Sequence, residues 1–196
     1  MLLARCCPLV PPSRSRTLYR RFESLSLHPC RDVASLTSML LLVSGLPGVG
    51  KSTFARAMAS ELGYAHYDLE FPQTWPRPDL HPLWEESRGR FVRAVAAAHS
   101  DRVILDWGFS PTCQSWIKEL SGAGVIVCWL FADEALARAA FLKRSPNDIS
   151  SFEEQMQLIR AAELPNGLDA INVEALNSSG FRPWSEIWQE IQNACS

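Results

Sequence analysis

The sequence predicts an α/β fold, a parallel sheet covered by helices on both faces, and three observations carry that prediction. Residues 45–52 read Gly-Leu-Pro-Gly-Val-Gly-Lys-Ser, the pattern G-x-x-x-x-G-K-[ST]. The apolar run Met39-Leu40-Leu41-Leu42-Val43 leads into it, and a stretch of helical composition, Thr53 to Leu62, leads out of it. Beyond that point short apolar runs alternate with helical segments, as crossovers between parallel strands require.

A strand that turns through glycines into a helix N-terminus aims several backbone N–H groups at one point, with the helix dipole behind them. Such a nest holds the phosphates of a nucleotide. Lys51 adds a point charge near the β- and γ-phosphates, and the Ser52 hydroxyl is placed to ligate Mg²⁺. Gly45, Pro47, Gly48, Val49, Gly50, Lys51 and Ser52 are therefore the expected nucleotide-binding residues, with ATP as the expected ligand.

The remaining elements follow in order. Phe54, Ala55, Met58, Ala59 and Leu62 fall at helical spacing, and Gly63 supplies the stop. Residues 64–67 read as a short strand ending at Asp68. Pro72, Pro76, Pro78 and Pro82 make 71–82 a loop, and Trp84 to His99 is helical by composition. Val103-Ile104-Leu105 is a buried strand ending in Asp106, and a helix is predicted over about 112–120. Val125 to Phe131, the longest β-branched and aromatic run, reads as a central strand. Asp133 caps the next helix, to about Leu142, and residues 150–154 carry a capping-box pattern that opens another, to about Ala162. A fifth strand is predicted over 168–173 and a last helix over 184–194.

Composition narrows the function classes. The chain has 196 residues, 47% hydrophobic and 20% charged, enough for one domain with a real core. Its net charge of −2 hides an asymmetry, because residues 1–38 carry six arginines against Glu23 and Asp32. That local +4 leaves −6 for the rest, which argues against binding a long nucleic acid by overall charge. Residues 1–38 are Arg- and Ser-rich and lack periodicity, so they read as a presequence, a mis-annotated extension ahead of Met39, or a disordered tail. The domain proper is 39–196. The six cysteines show no C-x-x-C spacing, reduced thiols are expected, and no run is long enough to span a bilayer. The expected location is cytoplasmic, or an organelle if residues 1–38 are a real presequence.

From Met39 onward the chain resembles the small P-loop kinases: shikimate and gluconate kinases, and polynucleotide-kinase-like and zeta-toxin-like phosphotransferases. The resemblance is strongest over residues 45–63, and weaker around 103–106 and 138–144. It implies a P-loop NTPase three-layer sandwich, a five-stranded parallel sheet of order 2-3-1-4-5, with ATP and Mg²⁺ at the strands' carboxyl ends. By the same resemblance Asp68 and Glu70 stand where such kinases carry an Asp-x-Asp pair, one member helping to hold the metal and the other accepting the hydroxyl's proton. Which of the two is the base stays open. Asp106 corresponds to the acidic residue acting on Mg²⁺, Thr53 to an α-phosphate contact, and Arg138 and Arg144 to lid arginines that neutralise the transferring phosphoryl group. The lid is expected over about 143–151, with 146–148 at its tip.

Trp107-Gly108-Phe109 departs from the shikimate-kinase pattern, so the acceptor is not named by motif. Phe71, Trp75 and Trp84 could wall an acceptor pocket, and Arg88, Arg90 and Arg93 could meet an anionic acceptor or form a solvated face. The first functional reading is a kinase acting on a hydroxyl of a small molecule. The alternatives are an ATP-binding regulatory module without an acceptor, and a kinase of a nucleotide or nucleic-acid 5′-hydroxyl. The oligomeric state is not readable from the chain.

Overall fold

Strand β1 (Met39–Gly45) is the centre of the sheet because both its faces are apolar: Leu41, Leu42 and Val43 are completely buried. In this computed structural model residues 39–109 and 111–196 are described, and the readings made of residues 1–38 lie outside them. Helix α1 (Lys51–Leu62) follows the glycine loop and ends on Gly63 in the left-handed region, whose N–H bonds back to the Met58 carbonyl. Strand β2 (Ala65–Asp68), helices α2 (His81–Glu86) and α3 (Arg88–His99), and strand β3 (Arg102–Asp106) come next. They are followed by α4 (Gln114–Gly122), β4 (Ile126–Ala132), α5 (Glu134–Arg144), α6 (Ile149–Ala161), β5 (Ala170–Asn177), β6 (Gly180–Phe181) and α7 (Trp184–Ala194).

The strands lie in the order β2-β3-β1-β4-β5-β6, parallel from β2 to β5. The expected order 2-3-1-4-5 is present, with one addition. Strand β6 pairs antiparallel with β5, Leu176 opposite Phe181, so the sheet has six strands and is mixed at that edge. The crossover β1–α1–β2 runs outward along the sheet, and β2–α3–β3 runs back. With right-handed crossovers the two connections fall on opposite faces, which produces the three layers.

Four boundaries differ from expectation, each for a local reason. The helix expected over 84–99 is two helices. Ser87 adopts an extended backbone between them, and its hydroxyl accepts from the Arg90 N–H as the cap of α3. The fifth strand is shifted to 170–177, because its pairing with β4 carries it past Val173 to Leu176. Helix α6 starts at Ile149, and its N-cap Asp148 makes no side-chain capping bond, so the capping box is not used. The connection between α5 and α6 is only Ser145 to Asp148, shorter than the lid expected over 143–151. The two helices are clamped together by the Phe141–Phe152 rings, 5.4 Å apart, and by Arg138–Glu153 and Arg160–Glu134 ion pairs. Among the described residues no helix is long and apolar enough to cross a membrane.

Candidate active site

The loop after β1 is shaped by three glycines at positive φ, and two of them tolerate no side chain. A Cβ on Gly45 (φ 137°) would lie 1.9 Å from the Leu130 carbonyl oxygen, and one on Gly48 (φ 85°) 2.5 Å from that of Ala137. The loop therefore presses against β4 and α5 backbone, where only hydrogen fits. Gly50 (φ 93°) caps α1, and its carbonyl receives the N–H groups of Thr53 and Phe54. Lys51 folds back over this turn, its Nζ donating to the carbonyls of Gly45 (3.2 Å) and Leu46 (2.9 Å). Burial pulls the Lys51 ammonium below its ordinary range, while the Asp106 and Glu70 carboxylates pull it up and the Arg144 charge pushes it down. Four residues expected at one site thus share one electrostatic environment.

The acidic side is assembled by sheet register. Asp68 and Asp106 end neighbouring parallel strands and are paired in register, so their side chains leave the same face. Asp106 is 3% exposed, and its Oδ2 has no hydrogen-bond partner. The Nε2 of His66 stands 3.6 Å away and is also buried without a partner. Burial first, and then the neighbouring Asp106, hold the Asp68 carboxyl above its usual range; a hydrogen bond from the Glu70 N–H (3.1 Å to Oδ1) opposes them. Glu70 is exposed, and its Oε1 accepts from the Gly108 N–H at 3.1 Å.

A buried carboxylate oxygen without a donor is a costly arrangement unless a ligand completes it. Hard oxygen donors at the carboxyl end of the sheet, beside a phosphate loop, suit Mg²⁺. The residues present therefore fit the ion the sequence implies, with Asp106, Asp68 and the half-buried Ser52 as the groups that would hold it.

The two arginines expected at a lid part company. Arg144 lies one turn beyond Phe141, its guanidinium 5.5 Å from that ring, and its charge is felt at Lys51. Arg138 points to α6 and donates to Glu153 at 3.1 Å, both groups about half exposed. The acceptor-side aromatics also divide. Trp75 and Trp84, expected as pocket walls, are each 4% exposed and belong to a core cluster with Tyr67, Phe91 and Trp107. Phe71 alone stays exposed. Arg88 covers the Trp116 ring at 3.7 Å, Arg90 pairs with Glu86, and Arg93 is exposed.

Three features were missed in the sequence. His66 could have been found, since it stands two residues before Asp68 on the same strand face. The Gly108 contact with Glu70 joins residues 38 apart and has no local signal. The third is a cavity of about 290 Å³ beside the phosphate loop, lined by Thr53, Phe54, Ala57, Phe181, Arg182 and Trp184 among others. Phe181, 59% exposed, would lie 3.3 Å from a Cβ on Gly50.

Comparison with known proteins agrees with this geometry. Residues 41–106, from β1 through Asp106, match the family described as ATPase family associated with various cellular activities (AAA). Over 55 residues the chain is 36% identical to an L-seryl-tRNA(Sec) kinase of Methanococcus maripaludis, a stretch that is 28% of this chain and 22% of that one. The chain thus spans about a fifth of the length of that curated relative. Among solved structures, shikimate kinase from Acinetobacter baumannii superposes with a TM-score of 0.51 at 14% identity, covering 81% of this chain and 95% of that one. An uncharacterized protein from Eubacterium ventriosum superposes with a TM-score of 0.53 at 11% identity, covering 81% and 98%. The fold is that of the small P-loop kinases.

Proposed function

We propose, from this small P-loop kinase fold, that the chain is an ATP-dependent kinase transferring the γ-phosphate to a hydroxyl of a small molecule, with residues 39–196 as its catalytic domain. One observation supports the reading above the others. Asp106 is buried with an unpartnered carboxylate oxygen, next to Asp68 and within electrostatic reach of the phosphate-loop Lys51. A purely structural carboxylate would be satisfied by donors; among the described residues the one group facing this oxygen is the His66 ring at 3.6 Å, beyond hydrogen-bond range, which supports a role toward a cation.

On this reading the loop amides and Lys51 hold the triphosphate, Lys51 exchanging its carbonyl partners for phosphate oxygens. Arg144 faces the loop and neutralises charge on the transferring phosphoryl group. Asp68 accepts the acceptor's proton: its raised carboxyl is a stronger base than an ordinary aspartate once ionised, and Glu70 is already held by Gly108. Of the three groups that would hold magnesium, Ser52 and Asp106 keep that role on this reading and Asp68 is left free for the proton; the ion, when bound, would supply further neutralisation of phosphate charge. Arg138, held by Glu153, supports the α5–α6 pair. The cytoplasm is the expected compartment.

A second reading has an observation of its own. The stretch shared with the seryl-tRNA(Sec) kinase favours a hydroxyl carried on a nucleic acid. Against it stands the net −6 of residues 39–196. The test is ADP release from ATP and Mg²⁺ across a panel of polyols, hydroxy acids, nucleosides and a seryl-tRNA, with Lys51→Ala as control. Stimulation by one small hydroxyl compound, abolished in Lys51→Ala, is the expected result. Basal hydrolysis that no acceptor stimulates would identify a regulatory ATPase, and stimulation by seryl-tRNA alone would establish the second reading.

A further inference from the structure

His66 and Asp106 face each other across the β2–β3 pair, and the pair is left unsatisfied. Asp68 lies opposite Asp106 in the register, and His66, two residues earlier, shares its face of the strand. The His66 Nε2 stands 3.6 Å from Asp106 Oδ2. Both atoms are closed off from solvent, and among the described residues neither has a hydrogen-bond partner. The neighbouring residue of β2 shows what a satisfied pairing looks like here: the Tyr67 hydroxyl and His99 Nε2 meet at 2.8 Å.

Distance discriminates among the ways of satisfying such a pair. An N–H···O bond closes to about 2.7–3.2 Å, and a water bridging the two atoms would hold them about 4.5 Å apart. Two donors on one divalent cation, each at about 2.0–2.2 Å, stand about 2.8–3.6 Å from each other. The observed spacing falls in the last range. Among the described residues no three His, Cys, Asp and Glu side chains gather as a metal-holding group. Two such donors would therefore serve the ion, with other oxygens, from phosphate, hydroxyl or water, completing its shell.

We propose that His66 Nε2 joins Asp106 Oδ2 in holding the divalent cation, so that the site prefers a first-row transition cation to magnesium. The inference rests on the kinase reading and deepens it by naming the residue that selects the ion. A carboxylate with water and phosphate oxygens suits magnesium, whereas an imidazole nitrogen favours later first-row cations such as cobalt and zinc.

The test is isothermal titration of the nucleotide-free full chain with Co²⁺ and, separately, with Mg²⁺, repeated on His66→Phe and His66→Gln. The parent is expected to bind Co²⁺ at least about tenfold more tightly than Mg²⁺. His66→Phe should weaken Co²⁺ by about tenfold or more and leave Mg²⁺ within about threefold. His66→Gln can still donate to Asp106 but offers a metal only oxygen, so it should lose Co²⁺ as His66→Phe does. It also carries the test if His66→Phe melts lower than the parent. A common loss of both cations in His66→Phe, restored in His66→Gln, would reduce His66 to a hydrogen-bond partner of Asp106 and overturn the proposal. Unchanged Co²⁺ binding in both variants would overturn it as well. Titration of the parent with MgATP separates the two levels. If ATP binds while the Co²⁺ preference is missing, only the cation assignment fails; if ATP does not bind, the kinase reading beneath it fails.

Discussion

The two sides of the site are made differently. The phosphate side is backbone: Gly45, Gly48 and Gly50 set the turn through positive φ and close approach to neighbouring main chain, within a single stretch of eight residues. The acidic side is side chains: Asp68, Asp106 and Glu70 come from two strand ends and a loop, joined by the register of β2 on β3 and by the Gly108 N–H that holds Glu70. A binding surface made of amides is specified by conformation, and conformation leaves a local signature in glycine spacing. A surface made of side chains is specified by who sits beside whom, and that depends on the whole fold.

The sharpest way to break this contrast is to add one methyl group on the backbone side. Gly45→Ala puts a Cβ 1.9 Å from the Leu130 carbonyl in a φ region that alanine avoids. Strand β1 would have to leave β4, so the loss should exceed about 4 kcal/mol and the variant should be largely unfolded by circular dichroism. A folded Gly45→Ala protein that still binds ATP would show that the turn is not held by main-chain contact.

The same contrast explains what could be read from the chain alone. The glycine loop, α1, β3 and β4 were legible because local pattern and tertiary demand coincide there: Val103-Ile104-Leu105 is apolar on both faces and is buried on both. Strand β6 was not legible, because two residues have no periodicity and their pairing exists only through the Asn177–Gly180 turn. Trp75 and Trp84 misled because a tryptophan near a site and a tryptophan under a site look alike in sequence. Here both rings pack edge-on against Phe91 or Tyr67 in the core. Arg138 and Arg144 carry the same letter six residues apart, and only the seating of α5 between the loop and α6 separates them.

That pair supplies the next test. Arg144→Ala removes a charge that acts on Lys51 and, on the proposed mechanism, on the transferring phosphoryl group. It should lower kcat by roughly 10²- to 10³-fold with little change in melting temperature. Arg138→Ala breaks a half-exposed ion pair with Glu153, worth under about 1 kcal/mol, and should leave kcat within a factor of about two. Equal effects on kcat would mean that α5 moves during turnover and brings both arginines to the phosphates.

Asp68→Asn tests the acidic side. Its activity should fall by roughly 10²-fold through loss of the base, while the nucleotide-free protein melts higher, because a carboxylate facing Asp106 has been neutralised. The folded carboxyl is raised above its unfolded value, so this group's contribution to stability is fully present below the ordinary carboxylate pKa of about 4 and is lost as pH rises through the folded value. The gain in Asp68→Asn should therefore be larger at pH 7 than at pH 4. In the nucleotide-free and metal-free parent, the Asp68 carboxyl should titrate above the pH at which a free aspartate does, read from its side-chain carbonyl shift by NMR. An Asp68→Asn protein that melts lower at pH 7 would mean that the charge at 68 is already compensated.

The smallest expected effect decides between the two candidate bases. A Cβ on Gly108 would lie 2.8 Å from Glu70 Oε1 and 3.8 Å from Lys51 Cε, and Gly108 is not in the left-handed region. Gly108→Ala therefore strains no backbone and leaves Lys51 in ordinary contact. It displaces only the far end of one exposed, flexible side chain. Glu70 would leave its bond to the Gly108 N–H, a change within about 0.5 kcal/mol for a surface position. If Asp68 takes the proton, Gly108→Ala should keep kcat within about threefold of the parent and its melting temperature unchanged. A loss above about tenfold, matched by Glu70→Gln and not deepened when the two are combined, would move the base to Glu70. In that case the hydrogen bond from Gly108 is what aims it.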